Sequence, residues 1–338
     1  DVVLSRGLGD VYKRQLSGFI TVLLIAYVSI YFGIFLVAIK FFKDHKYRAL
    51  IIPSVFFLLE WFKSWVISGF PWLNLGILSE SLWGLLPVVG ISGTSFLIIL
   101  IVALLLEKNR VVISRITASL ILAVLLVGPG HYQDGGDEKL KITVIQPLTT
   151  NMERIINMTN EAESDLVIWP EAVTKFDENV SELVPNKVVI GGFFRQDNTN
   201  VYTSAINLKT GHYYDKRNLV PFGEFQPFGS LLKSINNFFN IPNSSLSRGS
   251  FYQTKADWSA LICWELVFNE TFTRRVRGTK YIVHMSNDKW YGSSMPAQHL
   301  KHAKARAVES NKWVVRATLD GISQICLLYT SPSPRDNT

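Results

Sequence analysis

The residues from Leu16 to Ile39, LSGFITVLLIAYVSIYFGIFLVAI, form an apolar run that contains no charged residue. A helix of about 20 such residues crosses the roughly 30 Å hydrocarbon core of a bilayer. A chain carrying this run must cover it with protein or give it to lipid. Three further stretches, 49–67, 81–106 and 111–129, approach the same length, so the sequence predicts about four transmembrane helices over 16–130. Nearly all the long apolar runs lie before residue 130, which separates a membrane half from a soluble half. The hydrophobic fraction of 48% and the mean hydropathy of +0.20 fit that division.

Loop charges predict the orientation, because Lys and Arg collect on the cytoplasmic side of membrane spans. Lys40, Lys43, Lys46 and Arg48 follow the first run, and Lys108 and Arg110 follow the third. The loop SGFPWLNLGILSE between the second and third runs has neither residue type. Counting forward, everything after residue 130 falls on the extracytoplasmic side. Arg6, Lys13 and Arg14 oppose this scheme, so residues 1–15 are set apart as a segment outside the pattern. Within the second run, Glu60 is either functional or paired with Lys63 three residues on, on the same helix face.

The net charge of +7 is read as topology-setting charge, since the soluble half holds no dense basic run and no nucleic-acid-binding motif. Two cysteines, Cys263 and Cys326, exclude a disulfide framework and a multi-cysteine zinc site. His299 and His302 share a predicted helix, but no third ligand accompanies them and no metal is expected.

After a polar, Gly-rich linker at 131–139 the pattern changes. LKITVIQ, DLVIWPE, KVVIGGF, SALICWE, TKYIVHMS and KWVVRAT are short apolar runs bounded by turn or charged residues, as buried strands are. Helical stretches are predicted at 151–163, 267–277 and 297–310, and NVYTSAINLKTGHYYDK reads as a hairpin turning at Thr210-Gly211. The alternation predicts an α/β layered domain. Glu171, Lys216 and Cys263 stand at or just beyond strand ends, where α/β domains commonly build their sites. A cysteine that attacks a carbonyl needs a base for its proton and a cation or N–H donors for the oxyanion. Taken singly, each residue also has an ordinary reading as surface acid, solvated lysine or core thiol.

The flanking sequences join them. WPEAVT around Glu171, YDKRNLVPFGEFQPFG around Lys216, LICWELVF around Cys263, and SNDKWYG followed by QHLKHAKARAVE resemble the bacterial apolipoprotein N-acyltransferase branch of the nitrilase, or carbon–nitrogen hydrolase, superfamily. The likeness runs in order from about Lys141 to Ile325, and EWFKSWVISGFPWLNLG at 60–76 extends it into the membrane half.

The resemblance implies an α-helical transmembrane N-terminal half joined to a nitrilase-like αββα sandwich over 140–325. It implies a multi-pass protein of the bacterial inner membrane with a periplasmic catalytic domain. Its partners would be a phospholipid acyl donor and the α-amino group of a diacylglyceryl-cysteine apolipoprotein, with no metal, cofactor or nucleic acid. Cys263 would carry the acyl chain as a thioester and Glu171 would be general base and acid. Lys216 would stabilise the oxyanion together with a backbone N–H near Trp264. Glu224 matches a carboxylate that orients the lysine or assists proton transfer, with a structural salt bridge as its alternative. Glu265 matches a position important in the family or anchors the loop after the nucleophile. Phe222, Trp264 and Trp290, with Trp169, Phe225 and Tyr291, line an acyl-chain cavity or are plain core. The runner-up is an amidohydrolase of the same superfamily acting on a carbon–nitrogen bond; a membrane scaffold is the non-enzymatic alternative.

Trp264 stands where the family usually has Tyr, and VIQPL replaces a Gly after Gln146. Family members typically carry more N-terminal spans and a last C-terminal helix, so the sequence reads as truncated at both ends. Residues 326–338, Cys326 included, are expected to lie outside the family pattern.

Overall fold

A computed structural model of the 338-residue chain describes residues 2–107, 140–221, 223–225, 246–290 and 292–326, with a few helical residues between 115 and 122. The chain divides into two compact units, one of residues 1–71, 95–122 and 226–243, the other of 72–94, 123–225 and 244–338.

In the first unit the uncharged run lies on helix α1 (Val2–Phe42), and α2 (Arg48–Lys63) packs against it. Phe35 meets Phe56 edge-on at 5.0 Å between ring centroids, and Tyr27 Oη donates to the Val66 carbonyl at 2.9 Å. Arg48 pairs with Glu107 at 2.9 Å. Glu60 is buried within electrostatic reach of Lys63, in line with the paired alternative. Leu36 and Val37 are 65% and 67% exposed, a display of apolar surface suited to lipid.

The described residues bear out part of the expectation of about four spans. Among the described residues two helical stretches, Thr21–Phe42 and Glu80–Leu105, are long and apolar enough to cross a membrane. The second predicted span is the 16-residue α2, with Pro53 inside it, short of the roughly 20 residues a crossing needs. The fourth, 111–129, lies largely outside the described residues. The third is interrupted: after α3 (Leu75–Leu78), α4 (Leu86–Leu105) breaks at Gly90, whose φ of 68° and ψ of 179° suit only glycine. A Cβ on Gly90 would stand 2.8 Å from Glu309 Oε1, the atom that accepts the Ile91 N–H at 3.0 Å. Ile77, Leu86 and Ile91 pack on Ala305 and Val308 of the second unit, so the start of this run is covered by protein. Hydropathy counts apolar residues without saying what covers them.

The second unit holds two sheets. The first has the strand order β1 (Ile142–Val144), β2 (Leu166–Ile168), β4 (Val188–Asp197), β5 (Asn200–Asn207), β6 (Tyr213–Asp215), with β3 (Thr174–Lys175) also on β4. Pairing is parallel from β1 to β4 and antiparallel across the β4–β5–β6 meander. The second has the order β10 (Gln324–Cys326), β9 (Val314–Thr318), β8 (Tyr281–Ser286), β7 (Trp258–Ile262), parallel but for β10.

Every residue of β2, β7 and β9 is buried, so both faces of these strands are covered. One face of the first sheet carries α5 (Met152–Glu161), with Ile155 packed among Val167, Trp169, Val189 and Phe193. One face of the second carries α6 (Asn269–Val276) and α7 (Met295–Ser310), through Phe272, Val276, Leu300, Ala303 and Ala307. The remaining faces meet each other where β1 approaches β9 and β5 approaches β7, the helix–sheet–sheet–helix layering of a nitrilase-like domain. Cys326 is buried in the second core with Leu261 and Val314, which makes it a packing residue.

Candidate active site

Three strand ends converge. After β2 the chain passes through Trp169 and Pro170 to Glu171, and Ala172 turns it with φ 51°. Gly192 of β4 makes the turn possible: its N–H donates to Pro170 O at 3.2 Å and its carbonyl accepts the Val173 N–H at 2.9 Å. Past β6, Lys216 is fixed by its N–H to Thr203 O at 2.8 Å and its carbonyl to the Gly249 N–H at 2.9 Å. Beyond β7, Cys263 opens a 3-10 turn, Cys263–Val267, with a left-handed φ of 49°. That conformation costs a non-glycine residue about 1–2 kcal/mol, a strain of the kind that gathers at functional sites.

Glu171, Lys216 and Cys263 are 6%, 0% and 5% exposed. Lys216 Nζ donates to Glu171 Oε1 at 2.9 Å and to Glu224 Oε1 at 2.7 Å. The other oxygens of the two carboxylates accept backbone N–H groups, from Asn287 at 3.1 Å and from Val220 at 2.8 Å. Burial alone would lower the lysine, but Glu171 and Glu224 reverse that and hold it well above its ordinary value, as a cation. Burial pushes the Glu171 carboxyl up, with Glu224 adding to it against the pull of Lys216. Burial and then Glu171 push the Cys263 thiol up to about 12, against the opposing charge of Lys216 and a hydrogen bond with Ser286. At neutral pH the sulfur therefore holds its proton, and attack on a carbonyl requires a nearby acceptor. The Glu171 carboxylate and the Lys216 ammonium both lie within electrostatic reach of that sulfur.

Glu265, fully buried, ties the lysine loop to the Cys263 turn. Its Oε1 accepts from Tyr214 Oη at 2.8 Å and from the N–H groups of Arg217 at 2.7 Å and Asn218 at 3.1 Å; its Oε2 accepts the Ile262 N–H at 3.0 Å. Trp264 is buried and stacks on Trp72, with centroids 5.5 Å apart and planes 10° apart. Phe222 and the side chain of Trp290 lie outside the described residues, as does Tyr291, so the cavity they were expected to line goes undescribed. Trp169 packs within the core on Phe193, at 5.8 Å between ring centroids.

Several neighbours escaped the sequence reading. Gly192 is one, and the Gly191-Gly192 doublet inside a strand was its signal, since glycine in a strand often marks close backbone approach. Others are His284, Ser286, Asp288, His299 and Arg316, all buried behind Cys263. His299, weighed only as half a metal site, places Nδ1 3.1 Å from Asp288 and Nε2 3.2 Å from the Cys263 carbonyl. His302 Nε2 instead accepts the Leu73 N–H at 3.3 Å.

Comparison with known proteins gives two family matches in order along the chain. Residues 10–104 match the apolipoprotein N-acyltransferase N-terminal domain, and residues 186–331 match the carbon–nitrogen hydrolase domain. Apolipoprotein N-acyltransferase of Vibrio parahaemolyticus is 28% identical over 361 residues, covering 91% of this chain and 71% of that protein. The Pseudomonas paraeruginosa protein of the same name is 32% identical over 323 residues, covering 81% and 63%. A solved glutamine-dependent NAD+ synthetase from Acinetobacter baumannii gives a TM-score of 0.40 at 17% identity, over 57% of this chain and 42% of that one. The chain spans 63–71% of the length of the curated relatives it matches. Membrane-domain match followed by hydrolase-domain match, with relatives aligned over most of the chain, makes this protein a member of the apolipoprotein N-acyltransferase family.

Proposed function

We propose that the protein transfers an acyl chain from a phospholipid through a thioester on Cys263 to the α-amino group of a diacylglyceryl-cysteine at the start of an apolipoprotein. The observation that carries this reading is the buried Lys216 held between Glu171 and Glu224 within electrostatic reach of the Cys263 sulfur.

In the first half-reaction Glu171 takes the thiol proton as Sγ attacks the ester carbonyl. The oxyanion of the tetrahedral intermediate faces the Lys216 ammonium and the Trp264 backbone N–H. As it collapses, the ester C–O bond breaks and Glu171 returns its proton to the departing alcohol of the lysophospholipid. In the second half-reaction the lipoprotein amine attacks the thioester and gives a proton to Glu171. The C–S bond breaks, and the sulfur regains that proton. The near-complete burial of all three side chains supports a thioester kept from water.

The loop carrying Lys40, Lys43, Lys46 and Arg48 is assigned to the cytoplasm and the catalytic unit to the periplasm, which reporter fusions after Lys46 and Asn207 test. The activity is tested with vesicles of acyl-labelled phospholipid and a diacylglyceryl-cysteine peptide. Label should pass to the peptide amine, and Cys263→Ala should abolish transfer. Cleavage of small amides without lipid transfer refutes this reading in favour of the hydrolase.

A further inference from the structure

The carbonyl of Cys263 lies in a buried polar cluster, where His284 Nε2 is 3.3 Å from its oxygen. A carbonyl oxygen only accepts, so this bond needs hydrogen on Nε2. The other ring nitrogen, Nδ1, lies 2.8 Å from a guanidinium nitrogen of Arg316, which only donates. Nδ1 is therefore the bare nitrogen, and His284 is neutral with its hydrogen on Nε2. Arg316 is itself fixed: its second terminal nitrogen pairs with Asp288, and Nε donates to Ile322 O at 3.0 Å. His284 and Arg316 are 0% exposed and Asp288 is 2% exposed, so none exchanges these partners for water. Burial and the Arg316 charge both lower the basicity of His284, consistent with a neutral ring.

The peptide joining Cys263 to Trp264 is planar and trans, so its C=O and N–H point in opposite directions. A donor that holds the carbonyl on one side fixes the N–H on the other. We propose that His284, kept in its Nε2–H tautomer by Arg316 and Asp288, is a positioning residue that holds the Cys263–Trp264 peptide with its N–H turned toward the oxyanion. This inference rests on the acyl-transfer reading of the same site and adds a named group behind it. His299 brings Nε2 to 3.2 Å of the same oxygen and supports the carbonyl from α7.

Acylation and alkylation of Cys263 separate this role from a general contribution to folding. Attack on an ester passes through an oxyanion and uses the oriented N–H, whereas displacement of iodide from iodoacetamide forms no oxyanion. In His284→Leu, intact-mass measurement should show Cys263 acylation by p-nitrophenyl palmitate slowed about a hundredfold, the loss typical of one oxyanion donor, with iodoacetamide alkylation unchanged. His284→Gln supplies an N–H for the carbonyl and an oxygen for Arg316, and should restore acylation to within about fivefold of the parent. A nitrogen NMR spectrum of the histidine-labelled parent protein should show the His284 hydrogen on Nε2.

Full acylation in His284→Leu overturns the proposal, and so does equal loss of acylation and alkylation, failure of His284→Gln to rescue, or a hydrogen on Nδ1. The spectrum reads the parent protein and decides the matter even if His284→Leu does not fold. A parent protein that takes the acyl chain from p-nitrophenyl palmitate and not from phospholipid refutes the acyltransferase reading alone and leaves the His284 test intact.

Discussion

Lys216 and Glu224 meet at 2.7 Å, and the second carboxylate oxygen of Glu224 is held by the Val220 N–H at 2.8 Å, so a second anchored carboxylate holds the ammonium besides Glu171. Glu224 also raises the basicity of Glu171 by its charge. Glu224→Gln should keep a hydrogen-bonding group on Lys216 while removing that charge. Acyl transfer is expected to fall about ten- to a hundredfold, within the range for impaired acid–base assistance, and the acid limb of its pH profile should move to lower pH. Glu171→Gln, which removes the proposed proton acceptor itself, should fall further and lose that limb. Initial rates of label transfer across pH check both.

The unmodified protein should show its acid limb above the ordinary carboxylate range, because burial and Glu224 raise Glu171 and the residue must be ionised to accept a proton. Thiol alkylation, which needs the thiolate alone, should keep rising with pH toward about 12. The stability sign follows from the same shift. A thiol raised from 9.0 to about 12 holds its proton more tightly when folded, so its contribution is complete below about pH 9 and is lost as pH climbs to about 12. Alkylation rates and unfolding midpoints at a series of alkaline pH values test this.

Gly192 sets the position of Glu171. A Cβ there would lie 2.6 Å from the Glu171 Cα and 2.9 Å from the Ala172 N, closer than real side chains approach, and would also collide with the Pro170 carbonyl. Gly192→Ala should cost about 1–3 kcal/mol of stability as overpacking. It should reduce acyl transfer about a hundredfold, since a shift near 1 Å at a reacting group has that effect. Unchanged transfer in a folded variant would show that the Glu171 turn accommodates a methyl group.

Gly192 also shows where sequence reading stops. The apolar runs located the strands because a strand buried on both faces needs Val, Ile and Leu throughout; KVVIGGF begins β4 and TKYIVHMS ends with β8. The hairpin expected at Thr210-Gly211 joins β5 to β6, and Gly211 takes φ 71° there. Glu171, Lys216 and Cys263 were legible singly as reactive side chains at strand ends, a local feature, and the family resemblance of their flanking motifs joined them into one site. The His284–Arg316–Asp288 cluster was not legible, because its members come from β8, β9 and the turn after β8, and only the parallel β8–β9 pairing puts His284 opposite Arg316. The stretch expected at 81–106 is long and apolar enough to span a membrane, yet its start packs on Ala305 and Val308, and nothing local distinguishes such a turn from one facing lipid.

Trp72 should be a stability anchor of the second unit. It is 9% exposed, stacks on Trp264, lies 4.6 Å from the His302 ring and donates to Gln298 Oε1 at 2.8 Å. Trp72→Ala is expected to cost about 3–5 kcal/mol, as for other buried large-to-small aromatic changes. Trp72→Phe, which keeps a ring on Trp264 and loses the hydrogen bond, should cost about 1 kcal/mol beyond its lost contact area. Thermal unfolding of the detergent-solubilised variants distinguishes the two; equal midpoints would show that the stack adds nothing.

Glu265→Gln offers the sharpest test of coupling between the lysine loop and the Cys263 turn. The carboxylate accepts four hydrogen bonds, three on Oε1 and one on Oε2. An amide has a single acceptor oxygen, so whichever way it flips, at least one buried N–H faces an NH2 group. With the oxygen toward Tyr214, Arg217 and Asn218, the bond lost is to Ile262, the residue before Cys263. A buried donor left without a partner costs about 1–3 kcal/mol. The strained backbone at Cys263 loses its support at that point, so the alkylation rate of Cys263 should change while the Lys216 loop stays in place. Hydrogen exchange should report faster opening at Ile262 than at Arg217 and Asn218. Equal protection at all three, with full acyl transfer, would mean that Glu265 serves packing alone.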